Sequence, residues 1–368
     1  MKIGIMTFWW SDDNYGQILQ CYALQQYLRD LGHEAYLIRY LPDDDIIKGQ
    51  IPFCKKIFKV LNPKKIYKYI SYRIKRKKLE VEKRLHNRQF ELFRQKYITQ
   101  SSNLYITLKE LRNNPPKADV YIVGSDQVWN FYSDFKHRKN LVHAYFLDFG
   151  SDSTKRMAYA ASWGRTYITD EEIAEITPLL KRFNYISVRE ESGIELCEKC
   201  GRQDAKWCYD PTLLLNASIY RKLYKENDIK KIDDRYLFLY MLGNECDFNV
   251  QTVYQFAVKK NLKVVYVSGN NLYDNHKKYF ATIPEWLYLV DNAEYVITNS
   301  FHCGVFSSIF HKQFGIVPLT GVWAGMNERF SSLFGLMEIE ERFVSSGKFD
   351  ILEKEYQPKD LQNNVWFN

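Results

Sequence analysis

Thr298-Asn299-Ser300-Phe301-His302-Cys303-Gly304-Val305-Phe306 follows the apolar, β-branched run Tyr295-Val296-Ile297 and leads into the amphipathic run Val305-Phe306-Ser307-Ser308-Ile309-Phe310. The order reads as a strand, a tight polar turn holding one histidine, then a helix. Such a turn points its side chains and the free N–H groups of the helix at the crevice outside the carboxyl edge of a sheet. Ligands of open α/β sheets bind there, and the helix dipole favours anionic ones. Two readings of His302 stand: a group that faces a ligand, or a packed side chain behind an N-cap at Asn299 or Ser300.

The same pattern recurs along the chain. A first strand at 2–8, the turn Ser11-Asp12-Asp13-Asn14-Tyr15-Gly16 and a helix from Gln17 to Leu31 closed by Gly32 lead to a second strand, His33–Ile38. This is a βαβ opening without a G-x-G-x-x-G fingerprint, so Asn14, Gly16 and Gln17 either cradle a ligand or shape the turn. Asp119–Val123 is a short buried strand ending in Gly124-Ser125-Asp126-Gln127, which places Asp126 and Gln127 at its carboxyl end. Further strands are Met157–Ala161 and Tyr185–Val188, with a helix from Asp170 to Phe183 between them. Arg189 ends the second of these, able to fork onto a carboxylate or phosphate or to pair with Glu190 or Glu191. Lys206–Thr212 reads as the last strand of the first domain, with Asp210-Pro211 at its turn. Strands Tyr236–Met241, Leu262–Val267, Glu294–Thr298 and Phe314–Val317 alternate with helices in the second half. Two doubly wound, Rossmann-like α/β domains facing across a cleft are expected. The expected boundaries are 1–212 with a helical insertion at about 43–117, a charged linker at 213–234, and 235–368.

Composition narrows the function classes. With 368 residues, two domains of ordinary size are expected, and a net charge of +8 suits a phosphorylated or acidic ligand. The 28 tyrosines and 23 phenylalanines fill cores or line a sugar cleft. No apolar run reaches membrane-spanning length and no basic leader is evident, and seven cysteines fit free thiols in a reducing cytoplasm. Cys197-x-x-Cys200 with Cys208 lacks a second pair or histidine at ligand spacing, so no metal is expected. Residues 55–94 are rich in Lys and Arg with Ile57, Phe58, Val60, Leu61, Ile66, Tyr69 and Ile70 interleaved. They read as basic amphipathic helices, either solvated or resting on anionic lipid at the inner face of the membrane; no nucleic-acid motif accompanies the charge.

Five motifs in order resemble the polysaccharide pyruvyl transferase family: Asn14-Tyr15-Gly16-Gln17-Ile18-Leu19-Gln20-Cys21-Tyr22-Ala23-Leu24, Val123–Asn130, Ser187–Gly193, Asp210-Pro211-Thr212 and Thr298–His302. The resemblance implies a glycosyltransferase-B-like fold. It also implies transfer of the enolpyruvyl group of phosphoenolpyruvate, a donor substrate rather than a cofactor, onto two hydroxyls of a sugar. The product is a pyruvate ketal, and the acceptor a surface polysaccharide or lipid-linked oligosaccharide. It implies His302 as the catalytic histidine and Arg189 as a donor-associated arginine. Arg329, ahead of Leu333-Phe334-Gly335-Leu336, matches a C-terminal helix arginine. Asn299 and Ser300 would flank the donor, and Asp126 or Asp210 would hold the acceptor or act as base, with Asn14, Gly16, Gln17 and Gln127 beside it. Some members carry an arginine where this chain has Ser300; if that arginine grips the donor, this chain would use another cation, Arg329 or Lys312, bind more weakly, or use a different donor. Two other readings fit the pattern: a nucleotide-sugar-dependent glycosyltransferase of the same shape, and a non-enzymatic module docked through Lys55–Arg94.

Overall fold

The computed structural model describes residues 1–42, 70–130 apart from positions 72, 75, 76, 79 and 83, 135–243, 246–269 and 274–359. Half of the basic stretch, Ile57 to Tyr69 included, lies outside the described residues. Among those described, seven parallel strands form the first sheet, in the order β3-β2-β1-β4-β5-β6-β7. They are β1 Lys2–Met6, β2 Glu34–Tyr40, β3 Gln100–Tyr105, β4 Val120–Val123, β5 Lys155–Ala161, β6 Tyr185–Val188 and β7 Lys206–Trp207. The second sheet, order β11-β10-β8-β9, holds β8 Tyr236–Met241, β9 Lys263–Ser268, β10 Tyr295–Thr298 and β11 Gln313–Ile316, again all parallel. Central strands such as β4 and β8 are buried at every position, which is why they read as unbroken apolar runs.

Helix α1, Tyr15–Asp30, starts at Asn14, whose side chain accepts from the Gln17 N–H at 3.2 Å. Gly32, at φ +83°, turns the chain into β2. The buried face of α1 joins the two domains. The Tyr15 ring stacks on Trp286 at 5.2 Å and 13°, and its hydroxyl donates to the Ala281 carbonyl at 2.7 Å. One apolar cluster runs from Ile18, Leu19 and Tyr22 through Trp286, Val296 and Phe306 to Phe330. Around α1 the expected cleft is therefore filled by side chains.

Three stretches differ from expectation. The region taken as a helical insertion includes β3, an edge strand of the main sheet; its sequence, Gln-Ser-Ser-Asn-Leu-Tyr, has an exposed middle and no apolar alternation to announce it. It also includes α2, Phe90–Tyr97, whose Phe90 and Phe93 enter the shared core. The region taken as a linker holds α3, Ala217–Lys225, docked on α4, Ile283–Asp291, with Arg221 Nε and Nη2 bonding both Asp291 oxygens at 2.8 and 2.9 Å. Finally, β7 stops at Trp207, because Asp210 turns back to accept from the Thr212 N–H and Pro211 offers no donor. Among the described residues no helix is long and apolar enough to cross a membrane.

Candidate active site

The carboxyl ends of β4, β6, β7 and β10 deliver Ser125, Arg189, Asp210 and His302 to one place. Helix α5, Phe301–Ile309, is capped by Ser300, whose hydroxyl accepts from the Cys303 N–H at 3.5 Å, and this sets His302 in the first turn. Asp210, 1% exposed, is the hub. Its Oδ1 accepts from the Thr212 N–H at 3.0 Å and the Thr212 hydroxyl at 2.7 Å. Its Oδ2 accepts from the Ser125 hydroxyl at 2.7 Å and Arg189 Nη1 at 3.1 Å, and lies 3.3 Å from His302 Nε2. Burial pushes the Asp210 carboxyl up, but the His302 and Arg189 charges and the Ser125 hydrogen bond outweigh it and hold the group well below the usual carboxylate range.

Arg189 is buried and doubly paired. Its Nε donates to Glu190 Oε1 at 3.1 Å, and the same oxygen accepts from the Ser162 hydroxyl at 2.7 Å. Burial alone would lower the Arg189 pKa; the carboxylates of Glu190, Asp210 and Asp126 raise it instead. Ser162 reaches Glu190 because β5 bulges just before it: the register with β6 shifts between Ala158 and Ala161, and Ala160 sits at φ +48° with its N–H on the Ser187 hydroxyl at 2.9 Å. Bulges beside active sites re-aim side chains in this way.

Gly16 forms the wall against the imidazole. A Cβ added there would stand 2.3 Å from His302 Nδ1 and 2.4 Å from Cγ, so only glycine lets α1 approach. Phe301 lies between two guanidiniums, 4.7 Å from Arg189 Cζ and 5.6 Å from Arg329 Cζ, a cation–π arrangement. Next to Arg329, Glu328 accepts from the Ser192 N–H at 3.2 Å and its hydroxyl at 2.7 Å, a second tie between the domains.

His302, Arg189, Asp210 and Gly16 thus meet, with Arg329 one ring away. Asn14 and Ser300 act as helix caps, and the Gln17 side-chain Oε1 accepts from the Ser11 N–H at 2.8 Å. The Asn299 amide is engaged on both sides by Leu242, accepting from its N–H at 2.6 Å and donating to its carbonyl at 3.0 Å. Asp126, at φ +69°, and Gln127, within 4.0 Å of Met326 Sδ, stand at the rim. Lys312 follows the far end of α5, near Asp291 and Glu294, about 13 Å from the helix start at 1.5 Å per residue. Cys197, Cys200 and Cys208 are buried free thiols, and burial pushes Cys197 up to about 12. Glu190, Ser125, Ser162 and Phe301 escaped a reading from sequence as site residues, although the Asp-Pro-Thr turn carried a trace of the hub's geometry.

Two Rossmann-like domains with a histidine–carboxylate pair between them make an architecture of glycosyltransferase-B type. The family model for polysaccharide pyruvyl transferase matches residues 14–318, and the chain belongs to that family. No curated protein sequence matches it. Among solved structures, the UDP-GlcNAc 2-epimerase of Methanocaldococcus jannaschii, in complex with UDP-GlcNAc and UDP, is similar in fold. It is 13% identical with a TM-score of 0.53, over 99% of this chain and 96% of its own. The UDP-GlcNAc 2-epimerase of Neisseria meningitidis, bound to UDP-GlcNAc, is 11% identical over 96% of this chain and 98% of its own. Its TM-score of 0.45 is too low to carry an argument.

Substituting Gly16→Ala should push the imidazole off Asp210. Turnover should fall by about 10²–10⁴, the usual worth of a positioned acid–base group, while circular dichroism stays native. Unchanged turnover in Gly16→Ala would show that the His302 position is not required.

Proposed function

We propose that the enzyme transfers the enolpyruvyl group of phosphoenolpyruvate onto two hydroxyls of a sugar in a surface polysaccharide or its lipid-linked precursor, releasing phosphate. The observation that carries this reading is the pairing of His302 with the buried, ionised Asp210 within the family's motifs. C3 of the donor takes a proton and C2 gains oxocarbenium character. Two C–O bonds then form from C2 to the sugar oxygens, and the bond from C2 to the phosphate oxygen breaks. The two hydroxyl protons are accounted for by the new methyl group and the departing phosphate. His302 is the group suited to give and take these protons, with Asp210 orienting the ring and balancing imidazolium charge. Family membership favours pyruvyl over sugar transfer; the nucleotide-sugar ligands of the solved relatives belong to those proteins.

His302→Ala should lower ketal formation by at least about 10², read as phosphate release by ³¹P NMR with a saccharide acceptor, while circular dichroism shows the variant still folded. Near-wild-type release would remove His302 from the mechanism. Release of nucleotide with transfer of sugar, instead of phosphate, would favour the glycosyltransferase reading.

The proposal extends to the membrane face. The described helical residues between 70 and 85 expose Ile70, Ile74, Val81 and Leu85. Arg73, Lys77, Lys78 and Arg84 accompany them, the composition of a helix that rests on anionic lipid and would bring a lipid-linked acceptor near. Flotation with vesicles containing phosphatidylglycerol should be strong for the wild type and weak for Ile74→Asp with Leu85→Asp. Equal flotation would remove this contact.

A further inference from the structure

Arg88 belongs to the basic stretch ahead of α2, where a solvated side chain is the ordinary expectation, yet it is only 4% exposed. Its Nη1 donates to the Ser268 carbonyl at 2.9 Å, at the carboxyl end of β9 in the second domain. The guanidinium lies 5.0 Å from the Phe280 ring and 6.0 Å from the Tyr15 ring, and His86 stacks on the same Phe280 at 4.9 Å. The first domain therefore inserts a cation at the sheet edge of the second.

Two polar groups are left open there. Arg88 Nη2 and the Tyr240 hydroxyl are both buried without a hydrogen-bond partner among the described residues. Tyr240 stands near the end of β8 on the sheet face that carries Val267 of β9, the face toward Tyr15. The Arg88 charge acts on the phenols of Tyr15 and Tyr240 against the burial that raises both, with Asp13 opposing it from the β1–α1 turn and Glu285 doing so at Tyr15. A buried guanidinium arm and a hydroxyl left unpaired carry a desolvation penalty, which an oxyanion at the carboxyl edge of an α/β sheet would relieve. Arg88 also lines a cavity of about 740 Å³ with Trp10, Asp13 and Gln17. Gln17 is the neighbour of Gly16, which abuts His302, so the cavity and the imidazole share the start of α1.

We propose that Arg88, with the hydroxyl of Tyr240, binds an oxyanion of the substrates, a phosphate or carboxylate. This rests on the phosphoenolpyruvate reading for the identity of the ligand. The oxyanion belongs to the donor itself or to the diphosphate of a lipid-linked acceptor.

Calorimetry of the full-length wild type, Arg88→Met and Tyr240→Phe with phosphoenolpyruvate and with inorganic pyrophosphate separates these. Tyr240→Phe keeps the ring that packs 5.6 Å from Tyr15 and 5.7 Å from Trp286, and it deletes a hydroxyl with no bond to lose, so its thermal midpoint should not fall. Phosphoenolpyruvate binding should weaken about tenfold or more in Arg88→Met, the loss expected for a charge-assisted hydrogen bond, and measurably in Tyr240→Phe. If pyrophosphate alone shows this dependence, the oxyanion site stands and is assigned to the acceptor, and the failure falls on the phosphoenolpyruvate reading. Equal affinities across all three proteins for both probes, or binding of neither probe by the wild type, would overturn the site. The former, with phosphoenolpyruvate still turned over, leaves the proposed function intact.

Discussion

A single carboxylate inside the protein ties the chemistry of one domain to that of the other. Both Asp210 oxygens are occupied by its own turn, by Ser125 and by Arg189, and His302 arrives from the second domain at ion-pair distance. Such a buried cluster adds little net stability, because desolvation offsets the attraction, whereas truncating one partner typically costs about 3–5 kcal/mol through the charge left behind. Its value is geometric. It fixes where the imidazole sits when α5 of the second domain meets α1 of the first, and Gly16 makes that approach sterically possible.

The same cluster limits what Arg189 can do. With Glu190 on Nε and Asp210 on Nη1, two of its arms are matched by carboxylates, and Nη2 is the arm left buried without a hydrogen-bond partner among the described residues. The proposed donor bears a phosphate and a carboxylate, and would call on further cations. Lys312 lies at the wrong end of α5, while Arg329 shares the Phe301 ring with Arg189 and Arg88 enters from the other side of the domain interface. The fold thus places Arg189 and Arg329 against the Phe301 ring beside the imidazole, and Arg88 against Tyr15, the neighbour of Gly16.

Much of this was legible in the sequence. The strand–turn–helix at His302, the βαβ opening and the Arg189 strand end follow from local periodicity and turn chemistry, which act within a few residues. The resemblance to the pyruvyl transferases gave the family that the model match bears out. What could not be read depends on partners far away in sequence. Nothing local marks Asp210 as a hub rather than a turn residue. The nearness of Gly16 to His302 spans the whole chain. Arg88 sits in a run whose composition says surface, and only the docking of α2 and its approach segment onto the second domain buries it. Edge strand β3 was hidden for a related reason, being too polar to show a buried face until its neighbour is in place, whereas helix α3 carries Ile219, Tyr220, Leu223 and Tyr224 at helical spacing within the charged run that reads as a linker.

The account's central claim, that Asp210 and His302 form one unit across the domain interface, is tested most directly by a double-mutant cycle on unfolding free energy. The cycle uses Asp210→Asn, His302→Gln and the pair. Groups in one network are expected to couple by about 0.5–3 kcal/mol, so the double variant should depart from the sum of the singles by at least that lower bound. Additivity within about 0.3 kcal/mol would contradict it, leaving the two residues as neighbours that do not act on each other.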